Sequence, residues 1–424
     1  MLPGSLLAAV LVAPSVTLAT RLVYEGAVVR SGSSSVCYLN QINSSNIYSG
    51  VRPVLGSAGG NVGYISLYSC HNVNEPDLFG MRDQPLDCDN NSWDFVKTKC
   101  GRRLMFLWSR AMGPEYRETL PAGTSGVRTG ETGFVLLVTT YVDLTLQKVD
   151  SSGLEMDETS PEEAEGEVVA RLFVSHQTPR LIVLGGLDTW KTYAVCHRSC
   201  LGRMDKDDIH IKKVSIFTGS RGARGRIGVL KDNGTDIEAD LADERIIQSP
   251  TVSAGFGYFE KEVERSVRSR GSDLWLECDY DTELMDPAVT LLGGLGQDAE
   301  HCFAVLTYLQ QTEVTACRSQ PTEYSVLYAL NMELAAQDYQ EYTADYYQIE
   351  AFDSFYEFPD YDFGKRRRKR QAYKSIADPF MDKFSRDNRR VGGEIIIPLL
   401  ILCSDPSEAG QVPAGQQPQH QPAQ

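Results

Sequence analysis

Histidine is scarce in this chain, six residues in 424, and that scarcity removes most of the chemistry imidazole clusters support. No His-Glu-x-x-His, Gly-x-Ser-x-Gly or phosphate-loop motif occurs in the sequence, which excludes the corresponding metallopeptidase, esterase and nucleotidase readings. Cys-x-x-Cys pairs with zinc spacing are also missing. Beyond residues 1–20, no segment offers the roughly 18 apolar residues that a membrane-spanning helix needs; residues 394–403 are too short a run. Positive charge is in deficit too, 41 Lys and Arg against 57 Asp and Glu for a formal charge of −16, so no broad basic surface is available for nucleic acid. Carboxylate pairs are plentiful in so acidic a chain and carry no specificity. The sequence therefore nominates no catalytic residue.

What is present points to an oxidising compartment. The cysteines number ten, an even count that fits a disulfide framework. Residues 1–20 are apolar and small and end in Thr17-Leu18-Ala19-Thr20, which reads as a signal peptide. The competing reading is a buried first strand, although strand-like residues begin only after Arg21. Asn43, Asn90 and Asn233 stand in Asn-x-Ser/Thr sequons that a secreted, extracellular or vesicular protein would expose to glycosylation. Acid is concentrated in 155–167 and 333–362, both of which read as solvated insertions. The stretch 337–363 is acidic, Tyr-rich and free of Lys and Arg, the composition of a disordered segment. A basic run, Gly364-Lys365-Arg366-Arg367-Arg368-Lys369-Arg370, follows it and reads as a proprotein-cleavage site ending at Arg370. The end of the chain is Gln/Pro-rich.

Between these flanks, short apolar or alternating runs are separated by Gly, Pro, Asn and Ser. Residues 62–68, 104–108, 134–146, 168–174, 181–184, 209–217, 227–230, 273–278 and 302–309 are the clearest strands. So many short strands with few helical periods predict an all-β protein, built of two tandem antiparallel, jelly-roll-like sandwiches. The boundaries expected are 1–20 for the leader, 21–180 and 181–330 for the sandwiches, 331–370 for the acidic segment with its cleavage site, and 371–424 for a tail holding Cys403.

One stretch is specific. Cys196-x-x-x-Cys200 precedes Ile209-His210-Ile211, then Phe217-Thr218-Gly219 and Gly222. In order and spacing this resembles the copper type II, ascorbate-dependent monooxygenases, most closely the dopamine β-hydroxylase branch, where an Ile-His-Ile strand leads to a copper-binding His-Thr-His. The likeness covers about residues 36–319, with an echo at Cys403. It includes Cys37-Tyr38, Leu107-Trp108-Ser109, Gly130-Glu131-Thr132-Gly133, Asp150-Ser151-Ser152-Gly153 and Gly293-Gly294-Leu295-Gly296. The resemblance implies the bridges Cys37–Cys88, Cys70–Cys100, Cys196–Cys317, Cys200–Cys403 and Cys278–Cys302, each worth roughly 2–4 kcal/mol through the unfolded chain.

The same resemblance implies a three-histidine copper site and a His-His-Met site, and here the residues depart from it. The first histidine pair falls on Gly63 and Tyr64, and the third on Thr139 or Thr140. The second pair falls on Phe217 and Gly219, and the methionine on His301. Of these, His301 alone has a side chain suited to copper, and one imidazole does not enforce a site. His71, His176, His197 and His210 are scattered; a shifted register recruiting His71 would displace the Cys70 match. The expectation is a secreted homologue without catalysis or cofactor. It would serve as a binding or structural protein for an unidentified protein or small molecule, with Tyr64 and Phe217 presented in the former ligand cleft. The alternatives are an active copper- and ascorbate-dependent hydroxylase with displaced ligands, and a precursor processed at Arg370. Phe363-Gly364-Lys365-Arg366 resembles an amidation signal, and Tyr346, Tyr347, Tyr356 and Tyr361 are candidates for sulfation.

Overall fold

The computed structural model describes residues 18–71, 81–88, 99–100, 103–176, 181–186, 190–196, 198–202, 204, 207–230, 237–246, 256–286, 290–293, 299–309, 315–321 and 399–404. Within them the chain is all-β, with a helical turn at Arg198–Leu201 and two 3-10 turns, Gly59–Asn61 and Arg110–Met112. Residues 1–17 of the expected leader, the segment 331–370 with Arg370, Asn90 and Asn233 lie outside the described residues.

The first sandwich sets a five-stranded antiparallel sheet against a second layer. The five run Pro85–Asp87, Gly32–Gln41, Phe134–Leu144, Val62–Ser69, Arg103–Ser109 in spatial order. Facing them are Leu18–Val23, Gly153–Thr159, Ile47–Val54 and Thr124–Arg128. Leu22, Tyr48, Leu154, Ile65, Leu67, Val135, Leu137 and Tyr141 meet between the layers. The second sandwich opposes Glu167–His176, Cys302–Leu309, Asp208–Thr218 and Gly257–Arg268 to a four-stranded sheet of Trp190–Cys196, Asp273–Tyr280, Gly222–Leu230 and Ile237–Arg245. Its interior holds Leu172, Ile216, Ile227, Leu276 and Leu306.

Two joints fuse the halves. Glu167–His176 pairs in parallel with Thr124–Arg128 at Glu167↔Thr124 and Val168↔Gly126, which runs one layer of each sandwich into a single sheet of ten strands. The same strand then pairs antiparallel with Cys302–Leu309 over Val169↔Leu309 to Ser175↔Phe303, so most of it belongs to the second sandwich. A third apolar cluster lies between the halves. It packs Tyr64, Tyr68, Leu104, Val138 and Val142 of the five-stranded sheet against Phe217, Phe256, Phe303 and Val305. Val62–Ser69 is consequently buried at every position, Ser66 and Ser69 included, and shows no outward polar face.

Two expectations are corrected. Residues 155–159 are not a solvated insertion: Gly153–Thr159 is an interior strand flanked by Leu18–Val23 and Ile47–Val54. Leu154 and Met156 point inward, while Glu155 and Asp157 bond Arg52 and Arg117; this is period-two alternation with the acids outward. The first strand begins at Leu18, inside the expected leader, because Leu18 to Thr20 continue the register opposite Glu158 to Met156.

Disulfides Cys37–Cys88, Cys70–Cys100, Cys196–Cys317 and Cys278–Cys302 are formed. Cys200 is also disulfide-bonded. The strand Leu399–Ser404 pairs with Ala316–Pro321 and sets Cys403 opposite Cys317; the Cys403 side chain lies outside the described ones.

Candidate functional site

The expected ligand positions converge on the contact between the sandwiches. Tyr64 starts the regular part of Val62–Ser69, after a register shift that leaves Gly63 as the extra residue. Thr140 lies opposite Tyr64 on the neighbouring strand, and Thr139 opposite Ile65. Alternation separates the two threonines. Val138 and Val142, two residues to either side of Thr140, belong to the inter-sandwich cluster, whereas Leu137 and Tyr141 belong to the first interior. Thr140 therefore shares Tyr64's face, and its hydroxyl lies 3.2 Å from Ser35 Oγ.

From the second sandwich, Tyr258, Phe217 and Phe303 occupy matched positions on three adjacent strands. Phe217 stacks on Phe303 at 4.9 Å and packs against Tyr258 at 5.1 Å. Phe303 continues the row to Phe173 at 5.1 Å and faces Tyr64 at 5.8 Å. Tyr64 is hydrogen-bonded to His301 Nε2, and Phe256 closes on both rings, 5.1 Å from Tyr64 and 5.7 Å from His301. Burial holds the Tyr64 phenol well above its ordinary pKa, so it stays protonated.

The glycines at ligand positions are filled from elsewhere. A Cβ on Gly63 would stand 3.0 Å from Phe256 Cζ and 3.2 Å from Val142 Cγ1. One on Gly219 would stand 2.3 Å from Glu300 Oε2. Glu300 is fully buried; its Oε1 accepts from the Arg221 backbone N–H at 2.7 Å and from Ser220 Oγ at 3.1 Å. Burial pushes its carboxyl up to about 7.

Beside the aromatic row runs a buried ionic network. Arg171 bonds Glu118 through Nη2 and donates to Met105 O at 2.6 Å and Thr307 Oγ1 at 3.3 Å. Lys213 lies 3.2 Å from Glu260 and 3.9 Å from Glu118, and donates to Thr119 O at 2.9 Å. Tyr258 and Tyr116 both donate to Glu260, at 2.6 and 3.3 Å. Residues 116–119 of the first sandwich are thereby held onto the second.

This arrangement overturns the expectation that Tyr64 and Phe217 are presented to a ligand: they are 3% and 1% exposed. The residues present do not fit copper. His301 Nε2 is engaged by Tyr64, and the neighbouring positions offer a phenol, an aromatic ring, a hydroxyl and two glycines, which supply no second ligand suited to copper. His71 stands apart, beside Arg103, whose cation adds to burial in lowering its pKa to about 4. His210 is bonded to Ser266 Oγ at 2.7 Å. The side chain of His176 and all of His197 lie outside the described residues. Among the described residues no group of three or more His, Cys, Asp or Glu side chains could hold a metal ion.

Phe256, Glu300 and the ionic network were not visible as site residues in the sequence. Glycines at 63, inside a strand, and at 219, just past the end of one, were the available signal: a glycine where a large side chain is expected marks close approach by another group.

Residues 170–329 match the family described as "Copper type II ascorbate-dependent monooxygenase, C-terminal domain". No curated protein matches the chain. Among solved structures, one of Sulfolobus Turreted Icosahedral Virus shares 8% identity at TM-score 0.31, covering 80% of this chain and 98% of that one. One of the Cowpea mosaic virus top component shares 9% at TM-score 0.28, covering 66% and 76%. Likenesses this weak carry no argument. Among the described residues no helix is long and apolar enough to cross a membrane.

Proposed function

We propose, from the premise that residues 170–329 are a copper type II ascorbate-dependent monooxygenase C-terminal domain, that this chain is a secreted homologue that has given up hydroxylation and serves as a disulfide-braced binding or structural scaffold. The observation that carries the reading is the Tyr64–His301 hydrogen bond within the Phe217–Phe303–Phe256 cluster. The positions expected to hold metal are engaged in packing the two sandwiches together. Secretion is supported by the four bridges and by the absence of free cysteine among the described residues, a state that reducing compartments do not maintain. Asn43 is exposed, at a turn where its Oδ1 accepts from the Ser45 N–H at 3.0 Å; it is the sequon we favour for glycosylation.

Elemental analysis of the purified, secreted full chain tests the reading. It should carry no stoichiometric copper and show no ascorbate-dependent oxygen consumption; tightly held copper with hydroxylation would establish the displaced-ligand enzyme instead. Any bound protein or small molecule then belongs on the outer surfaces rather than between the sandwiches.

Processing at Arg370 is a second reading, resting on the basic run 365–370, and the pairing of Ala316–Pro321 with Leu399–Ser404 says what a cut would leave behind. Both strands belong to one sheet, so a cut between residues 322 and 398 leaves the last strand docked. Mass spectrometry of the secreted protein would find a new N-terminus after Arg370; an uncut chain alone would reject this.

A further inference from the structure

We propose that the metal space has been refilled rather than merely stripped of ligands: Phe256 occupies it in the first sandwich and Glu300 in the second, and these two side chains would exclude copper even if the imidazoles were returned. This rests on the non-metallic reading for where the ligand positions lie and goes beyond it by naming what occupies them.

Loss of a ligand and refilling of its space differ physically. Replacing a histidine by a smaller residue leaves a void, and voids are costly because protein interiors pack as densely as organic crystals. No void is left at Gly63. The Phe256 ring tip would stand 3.0 Å from a Cβ there, closer than ordinary van der Waals contact. Phe256 comes from the other sandwich, immediately before Gly257–Arg268, and its ring also meets Tyr64 and His301. At Gly219 the intruder is a carboxylate anchored by the Arg221 N–H and Ser220 Oγ, with Oε2 standing where a side chain at 219 would begin. Both glycines thus belong to built contacts. An imidazole at 63 must displace a ring shared by both sandwiches, and one at 219 must displace an anchored acid.

The test uses the full chain and two readouts. The first is a thermal double-mutant cycle on Gly63→Ala and Phe256→Leu. Gly63→Ala should lower Tm in the parent, and most of that loss should disappear in the Phe256→Leu background; strictly additive shifts would overturn the proposal. The second restores the ligands, Gly63→His/Tyr64→His/Thr140→His, with and without Phe256→Ala, and measures copper retained after dialysis alongside far-UV circular dichroism. The triple variant should retain none, and the fourth substitution should bring near-stoichiometric retention. Equal copper in both, or none in a folded quadruple variant, would overturn it. Where the histidine variants do not fold, the alanine cycle decides. Copper in the parent protein would reject the non-metallic function, whereas additivity in the cycle would reject the refilling alone.

Discussion

Asp150 is almost wholly buried, yet its carboxylate stays ionised because donors surround it. Tyr141 Oη and Ser152 Oγ each donate at 2.5 Å, and the Ala58 N–H donates at 2.6 Å. Burial pushes its pKa up, but these hydrogen bonds outweigh it and the net shift is downward. A carboxyl depressed by folding contributes stability above its unfolded pKa, and that contribution is lost as pH falls through the folded value. Asp150→Asn should therefore cost about 2–3 kcal/mol at neutral pH, and the difference from the parent should shrink as urea titrations move to acid below the ordinary carboxylate range. A constant difference down to that range would assign the loss to shape rather than charge. At this scale the sequence was informative about what each ligand position had become and silent about its surroundings. It left Thr139 and Thr140 undecided because one residue reverses the face of a strand, and only the register with Tyr64 settles that Thr140 points into the inter-sandwich contact.

Strands explain why charges were misjudged. In residues 153–159 the acids lie on the outward face of an interior strand, and counting charge without period made a core element look like an insertion. The opposite case is Arg171 and Lys213, cations set within apolar runs and 6% and 1% exposed. Their partners, Glu118 and Glu260, are far away in sequence, so pairing was not legible before folding. Removing one member of a buried ion pair strands the other charge. Arg171→Met should cost roughly 3–5 kcal/mol, measured by denaturant midpoint. Adding Glu118→Gln should recover part of that loss; a double variant as unstable as the sum of the singles would show that the two residues act separately.

Across the whole molecule, two sandwiches were readable from strand count and chain length, but their fusion was not. The inter-sandwich cluster draws a few residues each from strands spread over residues 37–305, and a pattern confined to one strand does not say which sheet covers it. With a continuous ten-stranded sheet and a shared apolar layer, the two halves should melt together. Calorimetry of the oxidised protein should show one transition, with calorimetric and van't Hoff enthalpies in agreement; two resolved transitions would mean that the third cluster couples them weakly.

The last described strand carries a consequence for synthesis. Ala316–Pro321 receives its partner from residues 399–404, so a nascent chain must emerge past residue 404 before that sheet margin is covered. Throughout that interval, and permanently in any product truncated upstream of residue 399, the margin presents unpaired backbone amides and carbonyls, a template on which neighbouring polypeptides can assemble.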